Sequence, residues 1–268
     1  MRCGIRLPHT IPGRSAAPIA ELAAEAEDVG WDSLWMSDHI VVPGTRSDYP
    51  YRPDGQLPAQ PWLDCLVALS MAAGATRRIG LGTCVLLMGL RHPVITAKQL
   101  ASLDVLSGGR VTVGVGAGWL REEFDALKVD FERRGAALDH AIVTARQVWT
   151  GTWCEIATDP RPIGSMPVLV GGMSRPALRR AARLGDGWLA LQPADAVDVA
   201  QIAAGRAQLP VGGEAPFATV LRIRGTLEAA LPHIAALAAE GVSEVVVDAD
   251  WRRPDLAGEL GRLRDSLS

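Results

Sequence analysis

Short apolar runs and amphipathic stretches alternate along this chain from end to end. Eight runs rich in Val, Ile, Leu and Trp fall at residues 4–8, 33–37, 79–86, 111–115, 167–170, 187–191, 218–223 and 244–248. Most are unbroken by polar residues, as expected of parallel strands covered on both faces. Between them lie segments with apolar residues at i, i+3 and i+4, such as PIAELAAEAEDVG, PVITAKQLASLDVLSGG, RPALRRAARLGDG and TLEAALPHIAALAAEGV. Each closes near a glycine, and Pro93 and Pro176 fall in a first helical turn, where the missing N–H of proline costs nothing. Eight strands, each followed by a helix, predict the α/β class and a (β/α)8 TIM barrel, an architecture of about 250 residues. An open doubly wound sheet is the competing arrangement.

No Pro/Gly/Ser-rich linker or shift of composition divides the chain, so residues 1–268 are read as one domain. One connection is too long for a simple turn. Residues 40–61, IVVPGTRSDYPYRPDGQLPAQP, have little periodicity, and a loop of that length in a packed domain is usually functional or disordered. It follows the second strand and is therefore expected to hang over the C-terminal face of the barrel as a lid or pocket wall.

Composition narrows the function classes. A net charge of -3 over 268 residues leaves no basic footprint for nucleic acid. No stretch reaches the roughly 18 apolar residues of a membrane span, and MRCGIRLPHTIPG has no signal-peptide core. A cytoplasmic protein acting on a small molecule is expected, with neither nucleic acid nor membrane as partner. The cysteines, Cys3, Cys65, Cys84 and Cys154, form no CxxC pair and are expected to be free thiols. The histidines lack metal-ligand spacing, so no metal site is expected.

Chemistry-bearing residues collect at the predicted strand ends, where barrel enzymes place their sites. The second strand, in GWDSLWMSDHI, stops on Asp38 and His39. The third ends as IGLGTCVLL, with small residues before Cys84 and Val85 that admit a close approach to the backbone. The fourth ends as VGVGAGWL, where Gly116, Ala117 and Gly118 read as the wall of a pocket and Trp119 as a pocket side chain. The glycines miss a dinucleotide fingerprint, whose third glycine would fall on Trp119. The fifth ends as VGGMSRPAL: Gly171, Gly172 and Met173 lead into Ser174, a helix N-cap, and backbone N–H groups there form an anion site. Arg175 in that first turn opposes the helix dipole unless an anion binds beside it. Arg179, Arg180 and Arg183 are read as a mostly solvated face.

Taken in order, GWDSLWMSDH, TRRIGLGTCVLL, HPVITAKQLASLDVLSGGRVTVGVGAGWLREEF, PVLVGGMSRPALRRAARLGDGW and GVSEVVVD resemble the luciferase-like monooxygenase superfamily, and within it the coenzyme F420-dependent oxidoreductases. The resemblance implies a barrel with a deazaflavin or flavin ring at its mouth. It implies that Asp38 and His39 meet the ring and are catalytic, His39 as the proton partner, for which an imidazole titrating near neutrality suits. It implies a non-prolyl cis peptide between Cys84 and Val85 behind the ring. The segment 116–119 would flank the ring, and Gly171, Gly172, Met173 and Ser174 would receive the phosphate, with Arg175 assisting. Related sugar-phosphate dehydrogenases carry a catalytic glutamate just after the strand-four glycines; here Trp119 stands there, and Glu122 and Glu123, one turn on, are expected to face solvent. Substrate-pocket walls are expected from His9, Trp62 and Met88 with the 40–61 loop.

Three functions remain open at this level. The first is an F420-dependent oxidoreductase moving a hydride to or from an organic substrate. The second is an FMN-dependent monooxygenase supplied by a flavin or F420 reductase partner, and the third is a flavin-binding barrel without catalysis. A homodimer is the habit that the resemblance implies, and the apolar helix PWLDCLVALSMAAGA offers a surface for it.

Overall fold

A computed structural model describes residues 1–11, 16–42, 44, 49, 55, 60–210, 217–225, 227–251 and 255–267. The barrel strands are β1 (Arg2–Arg6), β2 (Ser33–Met36), β3 (Gly80–Thr83), β4 (Val111–Val115), β5 (Val168–Gly171), β6 (Gly187–Pro193), β7 (Ala218–Arg224) and β8 (Glu244–Asp248). They pair in parallel and close in the order β1-β8-β7-β6-β5-β4-β3-β2, so the chain forms a (β/α)8 barrel. Every predicted run carries a strand. The third stops early, at Thr83, where the chain turns at Cys84; Leu86 bridges to Val115 beyond it.

Helices α1 (Ile19–Val29), α2 (Cys65–Ala75), α3 (Pro93–Ser107), α4 (Arg121–Ala126), α5 (Arg134–Trp149), α6 (Arg175–Leu184), α7 (Val199–Arg206), α8 (Leu227–Ala230), α9 (Ile234–Ala239) and α10 (Leu256–Asp265) connect the strands. Their ends follow the local signals. Ser174 caps α6 through Ala177 N–H, Asp64 caps α2 through Leu66 and Val67 N–H, and α3 opens on Pro93. The segment read as one helix in TLEAALPHIAALAAEGV is broken into α8, a 3-10 turn at Leu231–His233 and α9. Pro232 accounts for the break, since its ring clashes with the preceding turn and it donates no hydrogen bond. Among the described residues no helix is long and apolar enough to cross a membrane.

The barrel interior is plugged by Trp35, Cys84, Leu169, Leu189, Val220 and Val246. The indole of Trp35 lies where a Cβ on Gly82 would fall, and its Nε1–H donates to Ser33 Oγ and Glu244 Oε1 at the N-terminal end. Gly114 is fixed by space as well. A Cβ there would overlap the Thr83 carbonyl oxygen and reach Leu189 Cδ2 at 2.8 Å. Backbone cannot yield as a flexible side chain does. Gly114→Ala is therefore expected to destabilise the fold by about 1–3 kcal/mol. A thermal melt reads this as a fall of about 2–4 °C per kcal/mol; an unchanged midpoint would refute the contact.

Candidate active site at the barrel mouth

His39 and Asp38 follow β2 at the C-terminal rim, but their side chains part. Asp38 is fully buried behind the wall. Its Oδ1 accepts from Arg91 Nη2 at 2.8 Å and its Oδ2 from Leu87 N–H at 3.1 Å. Arg91 also reaches Asp64, the cap of α2, at 3.0 Å. Burial works against the Arg91 charge, yet Asp38 and Asp64 outweigh it and hold the guanidinium above its usual range. This chain of charges staples the end of β2 to the start of α2.

His39 turns the other way, and its Nδ1 lies 2.9 Å from Glu123 Oε2. Glu123 is 0% exposed, and its Oε1 accepts from Ile40 N–H at 2.7 Å and Val41 N–H at 3.2 Å. The expectation that Glu123 faces solvent is wrong: α4 lays Glu123 and Phe124 inward, beneath the chain leaving β2. Glu122, its neighbour, is half-buried. A carboxylate accepts only, so the network assigns the Nδ1 proton to the hydrogen bond and leaves Nε2 without a hydrogen-bond partner among the described residues. Trp62 packs edge-on to His39 at 4.5 Å between ring centroids, and Trp119 stands at 6.2 Å.

His9, near the start of the first βα connection, has its ring centroid 4.5 Å from that of the same Trp62. Its Nδ1 accepts from Leu63 N–H, which leaves Nε2–H to donate to Ser37 Oγ. Burial first, then the charges of Arg6, His39 and Arg222, push its pKa from 6.5 down to about 3. His9 is thus a neutral wall, not a proton carrier. The sign of its linkage follows: between the two values the unfolded chain binds a proton that the folded chain refuses, so stability falls as pH drops from about 6.5 toward 3. His9→Gln is expected to flatten that slope, measured as the difference in urea midpoint between pH 7 and pH 4.5. An unchanged difference would mean that His9 protonates in the fold.

The Cys84–Val85 peptide is cis, as the resemblance implies. The glycines opposite it make room for Val85. A Cβ on Gly116 would collide with Val85 Cγ2, and one on Gly171 would lie 2.6 Å from Val85 Cγ1. Val85 itself fills that notch. Gly118 and Gly172 have φ of 83° and 117°, the left-handed region that glycine favours. Ala117 and Met173 are half-buried against the core, whereas Ser174 and Arg175 are exposed at the start of α6. Of the arginines read as a solvated face, Arg180 and Arg183 both pair with Asp139 on α5. Met88 does not line the mouth. It is 1% exposed in a 3-10 turn and packs in the core outside the barrel.

Four charged residues at the rim escaped the sequence reading. Side chains alternate faces along a strand, so Arg222 and Arg224 share the inward face of Val220, and Asp248 that of Val246. Arg6 Nε donates to Asp248, and Arg222 Nη1 donates to Cys84 O at 3.0 Å, reaching from β7 to the far side of the barrel. Burial works against the Asp248 charge, but Arg6 and Arg222 hold the carboxyl below its usual range. Arg224 lies 4.3 Å over the ring of Tyr49, which contacts Trp119 at 5.1 Å. The visible signal is the LRIR ending of β7, two cations spaced by two on a strand that is otherwise apolar inside. Apart from residues 40–42, 44, 49, 55, 60 and 61, the long loop lies outside the described residues.

The sequence profile of the luciferase-like monooxygenases matches residues 1–223. An uncharacterized protein of Mycobacterium tuberculosis is 35% identical over 182 residues, 63% of this chain and 63% of its own length. An F420-dependent glucose-6-phosphate dehydrogenase of Amycolatopsis mediterranei is 31% identical over 188 residues, 64% of this chain and 52% of that enzyme. The chain thus spans less than two thirds of the length of these relatives. The fold superposes on a monooxygenase of Streptomyces bottropensis with a TM-score of 0.72 and 18% identity, covering 98% of this chain and 97% of that one. An F420-dependent secondary alcohol dehydrogenase solved with an F420-acetone adduct gives 0.69 at 16% identity, over 100% and 99% of the two chains. At such identities the likeness speaks for the fold.

Proposed function

The chain belongs to the luciferase-like monooxygenase family, and from that premise we propose that it is an F420-dependent oxidoreductase acting on a small organic substrate. The observation that carries the reading is His39, held at Nδ1 by the buried Glu123, with Trp62 and Trp119 beside its ring and no hydrogen-bond partner for Nε2 among the described residues. The similarity to F420-dependent glucose-6-phosphate dehydrogenases supports the choice of cofactor. One feature of the mouth fits a bound heterocycle: Trp62 Nε1–H is buried and has no partner among the described residues. Such a donor is costly unless a ligand oxygen or nitrogen accepts from it.

Bound there, the deazaflavin supplies the hydride chemistry. The protein supplies the proton. His39 Nε2 takes the hydroxyl proton of a substrate being oxidised, or returns it to a carbonyl being reduced, while Glu123 fixes the ring and balances its charge. Asp38 acts at one remove, positioning the segment that carries His39. Ser174 and Arg175 are the groups offered to the cofactor phosphate, with Gly171, Gly172 and Met173 shaping the turn.

A fluorescence titration of the purified protein separates the readings. Tight F420 binding with weak FMN binding is expected; the reverse order would assign the FMN-dependent monooxygenase instead. Neither cofactor binding would remove the proposal altogether.

A further inference from the structure

Among the described residues, the mouth holds more positive charge than its acids balance. Arg6, Arg222 and Arg224 converge on one carboxylate, Asp248, among the described residues. Asp38 is spent on Arg91 and Glu123 on His39. Arg224 makes no ion pair among the described residues; its contacts are the face and hydroxyl of Tyr49. Arg222 keeps a buried Nε–H with no acceptor among the described residues. Guanidinium groups left this way inside a barrel carry a desolvation cost that an incoming anion offsets. The Arg224 pKa reflects that cost: burial outweighs the attraction of Asp248, Arg6 adds to the depression, and the value is pushed down to about 10.

We propose that Arg222 and Arg224, backed by Arg6, form a subsite for an anionic group of the substrate, a carboxylate or a phosphate. The proposal deepens the oxidoreductase reading and rests on it for the word substrate. Position favours the substrate over the cofactor. Arg224 connects through Tyr49 and Trp119, ring on ring, to His39, the group assigned to the reacting oxygen. The turn offered to the cofactor phosphate follows β5, with β6 lying between it and β7. A planar fork suits either oxyanion, and two forks on one strand, at 222 and 224, fit a group with several oxygens. The molecule admitted is then short, anionic at one end and oxidisable or reducible at the other.

The test is calorimetric titration of inorganic phosphate, at constant ionic strength, into the protein alone and into the protein saturated with F420. Phosphate is expected to bind in both states. Arg224→Gln is expected to weaken phosphate binding roughly tenfold or more, with F420 affinity within about threefold of wild type, the changes read on protein whose circular dichroism is unaltered. Arg224→Lys keeps the cation without the fork and should fall between the two. Three results would each overturn the proposal: no phosphate binding to the F420-saturated protein beyond a chloride control, phosphate binding to that saturated protein that survives Arg224→Gln, or F420 affinity that collapses in that variant. The last would give the arginines to the cofactor. Failure of F420 to bind at all would be seen separately, because phosphate is also titrated into the cofactor-free protein.

Discussion

Replacing His39 by alanine is expected to lower turnover by about 10²–10⁴-fold, the usual worth of a positioned acid/base. Affinity for F420 should stay within a few-fold, because His39 is held by Glu123 and its aromatic neighbours rather than by the phosphate turn. The assay follows the deazaflavin chromophore during turnover, with cofactor affinity measured on the same preparation. Turnover within twofold of wild type would remove His39 from the mechanism. Glu123→Gln probes the support behind it. The amide oxygen still accepts from Ile40 and Val41 N–H, so the chain path survives, but the negative charge beside Nδ1 is gone. A fall in kcat at constant KM, with a changed imidazole ¹⁵N signature, is expected of a positioning residue. A rise in KM alone would instead make Glu123 part of the pocket wall.

The barrel was legible because its physics is local. Unbroken apolar runs, a glycine after each of several helices, and the cap at Ser174 each state their element within a few residues. The site was legible only where strand ends carry unusual residues, which singled out Asp38, His39, Cys84 and Val85. What stayed hidden depends on which way a side chain turns. Asp38 and His39 are adjacent, yet one is buried against Arg91 and the other joins Glu123. Helix α4 has six residues, too few for its periodicity to reveal that Glu123 is on the inner face. The glycines at 116 and 171 read as a pocket wall and an anion turn, and the sequence did not show that Val85 packs against both of them. Arg222 and Arg224 were within reach of alternation, had the parity of β7 been carried past its apolar stretch to the rim.

Removing the Asp38 carboxylate should cost the fold about 3–5 kcal/mol, the range for breaking a buried ion pair from one side. Asp38→Ala leaves Leu87 N–H buried with no acceptor and takes from Arg91 its fully buried partner. Asp64 remains on Arg91, but it is 41% exposed and worth less as a counter-charge. Urea unfolding at pH 7 measures the loss. Asp38→Ala combined with Arg91→Ala should cost less than the sum of the single changes, because the second substitution removes the charge that the first strands. Strict additivity would mean that the two groups do not act as a pair. Asp38→Asn separates structure from chemistry, since the amide keeps an acceptor for Leu87 N–H and nearly the same shape. If Asp38 only positions its neighbour, this variant's turnover should track its stability, recovering as the fold is held together at low temperature. A stable Asp38→Asn protein with turnover as low as His39→Ala would put the carboxylate itself into proton transfer.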